Sequence, residues 1–185
     1  MRSLDDIARI LAAEPVIVSV LAAVEALSID DCWVGAGLVR NAVWDHLHGR
    51  PVGLVAGSDI DVVYCDPADA GMARDLAIEA RLAASHPALP WSVHNQARMH
   101  AANGDPPYRD VADAIRCWPE TATAVAARLS EGTVALLAPH GVGDLLGLIV
   151  RPTPVFVRKP AAWQARRAEK AWLQRWPRLC EVGGS

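Results

Sequence analysis

Two aspartates separated by one apolar residue, Asp59 and Asp61, limit the fold and the chemistry of this chain more than any other residues do. They lie in the run Ser-Asp-Ile-Asp-Val-Val-Tyr at 58–64, whose β-branched and aromatic residues are typical of a strand. Side chains alternate along a strand, so both carboxylates face the same side, close enough to repel each other. Mg²⁺ offsets such repulsion, because it binds through one or two carboxylates and completes its shell with water and phosphate oxygens. The pair therefore predicts a metal site on one face of a sheet.

A glycine turn precedes the aspartate pair. Residues 32–34 are typical of a short buried strand, Gly35, Ala36 and Gly37 follow it, and 38–47 carry apolar residues at helical spacing. We expect the two glycines to supply the positive φ of a tight turn, and the following helix to present free N–H groups to an anion. The turn lacks the third glycine of a dinucleotide-binding motif and the Lys-Ser/Thr of a P-loop. Together, turn and aspartates predict a phosphate site beside a metal site.

Further motifs follow along the chain in a fixed order. With the turn and the aspartate pair, they are Gly-Ala-Gly-Leu-Val-Arg-Asn at 35–41, Trp44-Asp45, Ser-Asp-Ile-Asp-Val at 58–62, Asn-Gln-Ala-Arg-Met-His at 95–100, Pro107-Tyr108, Trp-Pro-Glu-Thr-Ala-Thr at 118–123, and Asp144-Leu145 before Arg151-Pro152. This order resembles the core of the DNA polymerase beta-type nucleotidyltransferase superfamily. Nearly the whole chain is also similar to a bacterial branch of nucleotidyltransferase family proteins. The resemblance implies an α/β (α+β) fold in which helices flank a mixed β-sheet.

The resemblance also implies a set of site residues. In that superfamily a Gly-Gly or Gly-Ser turn holds a nucleoside triphosphate, and a hydrophobic-Asp-hydrophobic-Asp strand holds two magnesium ions. Asp59 and Asp61 are therefore expected to be catalytic and to bind two Mg²⁺ ions, with Mn²⁺ as the alternative metal. The predicted nucleotide-binding residues are Gly35, Ala36, Gly37, Arg40, Ser58, Asn95 and Arg98, the arginines because a guanidinium offers several donors to phosphate.

Three departures from the superfamily pattern bear on activity. Ala36 offers no hydroxyl to a phosphate, and the interval from the turn to the aspartates is long, with 49–57 predicted to loop out. A third acid often comes from an adjacent strand, yet the candidate strand at 91–95 contains no carboxylate. His94 and Asn95 are the neutral ligands that this strand could supply, on opposite faces. Two carboxylates still suffice for Mg²⁺ when water and triphosphate complete its shell.

Composition limits the class of protein. A chain of 185 residues with 52% hydrophobic content can form a core as a single domain, 1–185, with an N-terminal helical segment at 1–30 and a C-terminal basic helix at 158–185. The net charge of −3 disfavours a surface for long RNA or DNA, because polyanion binding needs many Lys and Arg contacts. The four cysteines form no CxxC pair, so a zinc site is not expected. Acids at Asp5 and Asp6 and the lack of a long apolar run predict a cytoplasmic protein without a membrane partner.

The remaining elements follow from periodicity. The sequence predicts helices at 4–27 (interrupted at Pro15), 68–84, 111–118 and 141–150, and a β-hairpin of 121–129 with 133–137. A basic helix at 161–176 carries Arg166, Arg167, Lys170 and Arg175. Its plainest interpretation is a solvated face; phosphate contact through Lys159 and self-association are the alternatives.

These observations favour Mg²⁺-dependent transfer of a nucleoside monophosphate from a triphosphate to an acceptor hydroxyl, on a small molecule or a protein. One alternative is a module of the same fold that binds nucleotide without turnover, motivated by Ala36 and the missing third acid. Another is a metal-dependent phosphohydrolase, which is disfavoured because the glycine turn here precedes the acids. A protein-interaction role, such as a toxin or antitoxin partner, is a third. The nucleotide, the acceptor and the oligomeric state stay open.

Overall fold

The structure is a computed structural model that describes residues 3–183. The predicted segments 1–30 and 158–185 include residues 1–2 and 184–185, which lie outside the described residues. The helices are α1 Leu4–Ala12, α2 Pro15–Glu25, α3 Gly37–Leu47, α4 Met72–Ser85, α5 Gln96–Asn103, α6 Val111–Arg116, α7 Gly143–Leu146, α8 Pro154–Val157, α9 Pro160–Lys170 and α10 Trp172–Arg175. The strands are β1 Trp33–Gly35, β2 Ile60–Tyr64, β3 Trp91–Asn95, β4 Ala126–Ser130, β5 Thr133–Leu137, β6 Ile149–Val150 and β7 Cys180–Glu181.

A five-stranded mixed sheet organises the domain, in the order β3-β2-β1-β4-β5. The central strand β1 is antiparallel to both β2 and β4, β2 is parallel to β3, and β4 and β5 form an antiparallel pair. A second, two-stranded sheet joins β6 to β7 in parallel. The predicted α/β fold, a mixed sheet flanked by helices, is confirmed.

The two faces of the sheet are buried against different helices. Alternation along the strands sends Val62 and Tyr64 into the main core, together with apolar residues of α2, α3 and α4. The opposite face carries Trp33 and Val63, which pack with Val111 and other residues near α6. Because β2 contributes to both layers, its side chains at odd and even positions have different surroundings. This alternation decides which residues reach the candidate site.

The N-terminal helices pack on the sheet as core elements. Ser3 accepts a hydrogen bond from the backbone N–H of Asp6 (3.2 Å) and so caps α1, while Pro15 occupies the first turn of α2, where its missing N–H is tolerated. Within residues 3–183 no single helix has the length and apolar character of a membrane span. Only α1 and α2 taken together reach them, and these two are bent by 98°.

Two predicted elements between the sheet and the C-terminus differ from the structure. The hairpin forms, with Glu131 and Gly132 at φ 52° and 76° as its turn, but β4 begins at Ala126 rather than at 121. The helix predicted at 141–150 is wrong beyond α7. Its glycines are poor helix formers, and Leu148 takes a φ of 57° that turns the chain into β6.

The C-terminal prediction needs a larger correction. The segment 158–185 is not one helix, because Ala171 takes a left-handed φ of 43° that separates α9 from α10. Its solvated face is also only part of it, because the opposite face is buried. Trp163, Trp172 and Trp176 are only 3–5% exposed and belong to the main core. The basic residues between them are therefore held in fixed positions.

Candidate active site

The aspartate pair and the glycine turn come together on adjacent antiparallel strands. Asp61 is the second residue of β2, and Asp59 lies just before the strand begins. The pairing of Val34 with Val62 continues to place Gly35 opposite Asp61. The end of β1 thus delivers the turn to the acidic end of β2, as the sequence motif requires.

The turn itself differs from the expected glycine conformation. Neither Gly35 nor Gly37 has a positive φ; the residue that does is Ala36, at φ 46° and ψ −109°. Gly35 is required for another reason, since a Cβ there would lie 2.5 Å from Cη2 of Trp118. α3 begins at Gly37, so its first N–H groups have no partner within the helix and are free to donate to an anion.

The two aspartates have no local partner. Neither Asp59, which is exposed, nor Asp61, which is half-buried, forms a hydrogen bond or a salt bridge with any residue of the described range 3–183. Burial raises the pKa of the Asp61 carboxyl; nearby His94 opposes that rise and the charge of Asp59 adds to it. The fold therefore holds two like charges together without neutralising them.

A buried cation faces this pair from α3. Arg40 is 8% exposed, and it donates to Thr123 Oγ1 (3.1 Å) and to Asn41 Oδ1 (2.9 and 3.2 Å). Among residues 3–183 no carboxylate lies within salt-bridge distance of it. Burial lowers the pKa of Arg40 to about 10, and the charges of Glu120 and Asp61 oppose that shift, so the side chain stays charged at neutral pH.

The C-terminal segment forms the facing wall of the site. The Arg40 guanidinium lies 4.9 Å from the ring of Trp172, and that of Arg166 lies 5.6 Å from the same ring. Arg166 in turn forms a two-pronged ion pair with Glu120, which is fully buried. Asp45 on α3 accepts from Arg175 (3.0 Å) and from the indole of Trp176 (2.9 Å). These contacts attach α9 and α10 to α3.

The resulting cleft has a volume of about 630 Å³, which falls in the usual range of small-molecule sites. It brings together most of the predicted site residues and adds a cationic wall that sequence reasoning missed. The one signal in the sequence was the tryptophan spacing among basic residues in 161–176. The cleft is lined by Ala36, Gly37, Arg40, Asn41, Val55, Gly57, Ser58, Asp59, Asp61, Arg166, Glu169, Lys170, Ala171, Trp172, Gln174, Arg175 and Trp176.

Asn95 and Arg98 lie elsewhere, and their predicted place at the nucleotide is not supported. Asn95 pairs with Tyr64 across β2 and β3, so it faces away from Asp61. Its side chain caps α5 through the N–H of Ala97 (3.0 Å) and donates to the carbonyl of Asp66 (2.8 Å). A salt bridge ties Arg98 to Asp75, which also accepts from the hydroxyl of Tyr64 (2.7 Å). Both side chains therefore stabilise the structure around the C-terminal ends of β2 and β3, away from Asp61.

His94 is the neutral candidate that remains on the correct face. The register pairs Asp61 with Ser92 and Val63 with His94, so all four side chains share one side of the sheet. His94 also lies within hydrogen-bond distance of Ser92 (3.0 Å between Nε2 and Oγ). On the face that carries Asp61, the adjacent strand β3 therefore presents a hydroxyl and an imidazole and no carboxylate.

Comparison with known proteins identifies the family of this chain. A family model described as Nucleotidyltransferase matches residues 22–180. The chain belongs to this nucleotidyltransferase family. A solved structure described as an NMR structure that reveals a CCA-adding enzyme head domain is 31% identical, with a TM-score of 0.86, and the match covers 98% of this chain and 96% of that one. The resemblance inferred from the sequence is confirmed, and the family supports a transferase.

More distant likenesses of the nucleotidyltransferase are partial. A tRNA-processing enzyme with CTP is 18% identical, with a TM-score of 0.48, over 77% of this chain and 39% of that one. A CCA-adding enzyme with ATP is 15% identical, with a TM-score of 0.47, over 91% of this chain and 46% of that one. No curated protein matches the chain in sequence.

The protein ligands that this nucleotidyltransferase offers to a magnesium ion are two carboxylates. Within the described part of the chain no cluster of three or more His, Cys, Asp or Glu side chains is arranged to hold a metal. Asp59 and Asp61 nevertheless supply the hard oxygen ligands that Mg²⁺ prefers, free of competing partners. An ion bound by two carboxylates takes its other ligands from water and substrate phosphates, so such a site is completed by the nucleotide.

Proposed function

We propose that this protein is a Mg²⁺-dependent nucleotidyltransferase that moves a nucleoside monophosphate from a triphosphate to an acceptor hydroxyl. The observation that carries the proposal is the unpaired charge in the cleft. Asp59, Asp61 and Arg40 have no opposite partner within residues 3–183, whereas the buried acids around them are paired. Charges left unpaired in a partly buried site are costly unless a ligand compensates them.

The triphosphate is assigned to the cationic part of the cleft. The free N–H groups at the start of α3 and the Arg40 guanidinium provide donors for phosphate oxygens. Lys170 lines the opposite wall, and its only described ion pair is with the exposed, adjacent Glu169 (2.9 Å). Ser58, which precedes Asp59 in the chain, also lines the cleft. This arrangement orients the α-phosphorus towards the carboxylates.

The reaction requires no covalent enzyme intermediate. Asp59 and Asp61 would hold Mg²⁺, or Mn²⁺, whose Lewis acidity lowers the pKa of the acceptor hydroxyl and offsets charge on the phosphates. The acceptor oxygen bonds to the α-phosphorus, the bond from that phosphorus to the bridging oxygen breaks, and pyrophosphate leaves. The hydroxyl proton passes to water at the exposed side of Asp59. Arg40 stabilises the negative charge of the departing pyrophosphate.

The test measures transfer and pyrophosphate release together. Purified protein is incubated with Mg²⁺, each labelled nucleoside triphosphate in turn, and a cell extract as the source of acceptor. The variant Asp59→Asn/Asp61→Asn is expected to lose about 10³-fold in rate, because loss of a metal site removes several kcal/mol of transition-state stabilisation. The matched control, Asp5→Asn/Asp30→Asn, removes two exposed acids and keeps the rate. Equal background from wild type and the cleft variant would sink the transferase proposal.

A second candidate is a nucleotide-binding module without turnover. It is favoured by Ala36, which has no hydroxyl, and by the Ser92 and His94 side chains in place of a third acid. This candidate predicts that equilibrium dialysis detects binding of a labelled triphosphate while no pyrophosphate is released with any acceptor source. The same two variants test this candidate: the Asp59→Asn/Asp61→Asn change should alter the Mg²⁺-dependent affinity for the triphosphate, and the Asp5→Asn/Asp30→Asn control should not.

A further inference from the structure

A second cavity adjoins the cleft and has no role in holding the triphosphate. It has a volume of about 430 Å³ and lies between the segment 53–59 and residues 88–90, which precede β3. Its floor is formed by Leu38 and Ile60, both buried in the main core. The segment predicted to loop out, 49–57, thus forms a wall of this cavity.

The two cavities differ in chemistry. The cleft is lined by Arg40, Lys170 and two further arginines, whereas Asp59 is the one charged side chain among the described residues that line the smaller cavity. The rest of its lining is apolar apart from Asn41 and Ser58. A triphosphate has no cation to meet there. An apolar group does have a surface to bury, since Val55 and Leu89 are partly exposed beside it.

The cavities meet along five residues that line both, Asn41, Val55, Gly57, Ser58 and Asp59. This junction matters because nucleotidyl transfer is an in-line displacement, in which the acceptor enters opposite the departing pyrophosphate. With the pyrophosphate assigned to the donors of α3 and Arg40, the acceptor would approach from the side of Asp59, a residue that the apolar cavity shares with the cleft.

We propose that this apolar cavity binds the acceptor, and that the acceptor carries its hydroxyl on an apolar or aromatic body. The inference rests on the proposed transfer function and names the substrate class for that site. The apolar body would fill the space over Leu38 and Ile60, leaving the hydroxyl beside Asp59, the one charged side chain among the described residues that line the cavity. A sugar hydroxyl would leave its other hydroxyls without partners against the apolar wall.

The test follows binding rather than turnover. The methyl resonances of Leu38, Leu54 and Leu89, which line the apolar cavity and not the cleft, are recorded by NMR during titration with 2-phenylethanol, a hydroxyl on an aromatic body, and with ribose as the polar counterpart. We expect 2-phenylethanol to shift all three and ribose to shift none. The titrations are repeated with saturating magnesium-ATP, which should leave 2-phenylethanol binding in place.

A cavity-filling variant and its control sharpen the result. Ala88 is exposed at the rim, so Ala88→Trp fills the cavity without disturbing the core, and Ala83→Trp adds the same ring to an exposed position on α4 outside the cavity. Ala88→Trp is expected to weaken 2-phenylethanol binding about tenfold or more, because the ring loses its buried surface. Magnesium-ATP affinity should be unchanged in both variants, and Ala83→Trp should change neither ligand.

Three results would overturn the proposal. ATP alone could shift the three methyl groups and compete with 2-phenylethanol, which would assign the cavity to the nucleobase. 2-Phenylethanol could fail to shift them, which would exclude an apolar acceptor body. Its affinity could be the same in Ala88→Trp, which would place its binding elsewhere. None of these measurements needs turnover, so a failed transfer assay and a failed acceptor assignment give separate results.

Discussion

The two walls of the cleft treat charge in opposite ways. On the C-terminal wall, Arg166 is paired with the fully buried Glu120, and Arg175 with the buried Asp45. On the wall formed by β2 and α3, Asp59, Asp61 and Arg40 lie near one another, yet none has an opposite partner within bonding distance in the described range 3–183. The buried acids of the first wall are neutralised by ion pairs, whereas the charges of the second wall are not.

This difference separates structural charges from functional ones. A buried acid in an ion pair holds elements in place, here α9 against the segment that carries Glu120 and α10 against α3, because breaking the pair leaves an uncompensated charge. Asp59, Asp61 and Arg40 form no such pair in the described range 3–183, and burial of the Asp61 carboxylate without one is unfavourable. The fold tolerates them where substrate and metal charges can complete the pairing. Each prediction below alters one of these charges or its surroundings.

The largest effect is expected where a pair is broken. Glu120→Gln keeps the shape of the side chain but leaves Arg166 without its acid, and we expect the free energy of unfolding to fall by about 3 kcal/mol or more. Denaturant unfolding measures this change. The control is Glu169→Gln, which removes an exposed acid paired with its neighbour Lys170 and should leave the midpoint unchanged. Equal midpoints for the two variants would contradict the division into paired and unpaired walls.

The unpaired arginine should matter for ligand affinity. Arg40→Gln removes a charged donor from the cleft, and we expect magnesium-ATP affinity to fall about tenfold to a hundredfold, the size of one or more charge-assisted hydrogen bonds. Isothermal titration calorimetry measures the change. Arg109→Gln serves as the control and should bind as wild type does, because Arg109 is an exposed arginine just before α6, forms an ion pair with Asp113 and does not line the cleft. If Arg40→Gln binds as tightly as the control, phosphate lies elsewhere in the cleft.

The unpaired acids should lower the free energy of unfolding, and the pH dependence of that free energy tests this expectation. Burial raises the pKa of Asp61, so the folded protein holds that proton more tightly than the unfolded chain, and stability is lost as pH rises from the ordinary value of 3.8 through the raised pKa. Asp61→Asn should remove this loss and be more stable than wild type at pH 7. Added Mg²⁺ at ten times its Kd should stabilise wild type by about 1.4 kcal/mol and not the variant.

Asp66 provides a control of opposite sign. A hydrogen bond from Arg74 lowers the pKa of the Asp66 carboxyl, so its contribution is present above the ordinary pKa and is lost as pH falls. The advantage of wild type over Asp66→Asn should therefore grow as pH rises, whereas wild type should become progressively less stable than Asp61→Asn over the same range. Thermal unfolding from pH 3 to pH 8 compares the two, and parallel curves would refute the assignment of Asp61 as an unpaired acid.

The sequence predicted the parts of the site that are contiguous in the chain. The neighbouring positions of Asp59 and Asp61 follow from strand alternation, and the start of a helix at Gly37 follows from a strand, a turn and apolar residues at helical spacing in succession. Asn95 and Arg98 were misplaced because their direction depends on the β2 to β3 register. A local signal for Asn95 did exist: Asn is a preferred N-cap residue, and α5 begins at the next position.

The C-terminal wall lay beyond sequence reasoning. The hydrogen bond from Arg175 to Asp45 spans 130 residues, and the one from Trp176 to the same carboxylate spans 131. Nothing in either segment alone specifies that partnership. The break at Ala171 was also hidden, since Ala is the strongest helix former and its left-handed φ is imposed by the packing of Trp172 on the core.

The smallest predicted effect concerns strain on the unpaired wall. Ala36 takes φ 46° and ψ −109°, a conformation that Gly adopts freely and Ala does not. Ala36→Gly should therefore stabilise the protein by about 1 kcal/mol, the strain relieved minus the extra entropy of glycine in the unfolded chain. Ala77→Gly, at an exposed position inside α4, should cost about 1 kcal/mol. Denaturant unfolding measures the change in the free energy of unfolding for both variants. A gain for Ala36→Gly and a loss for Ala77→Gly would locate the strain at the turn, whereas a loss for both would mean that Ala36 is not strained.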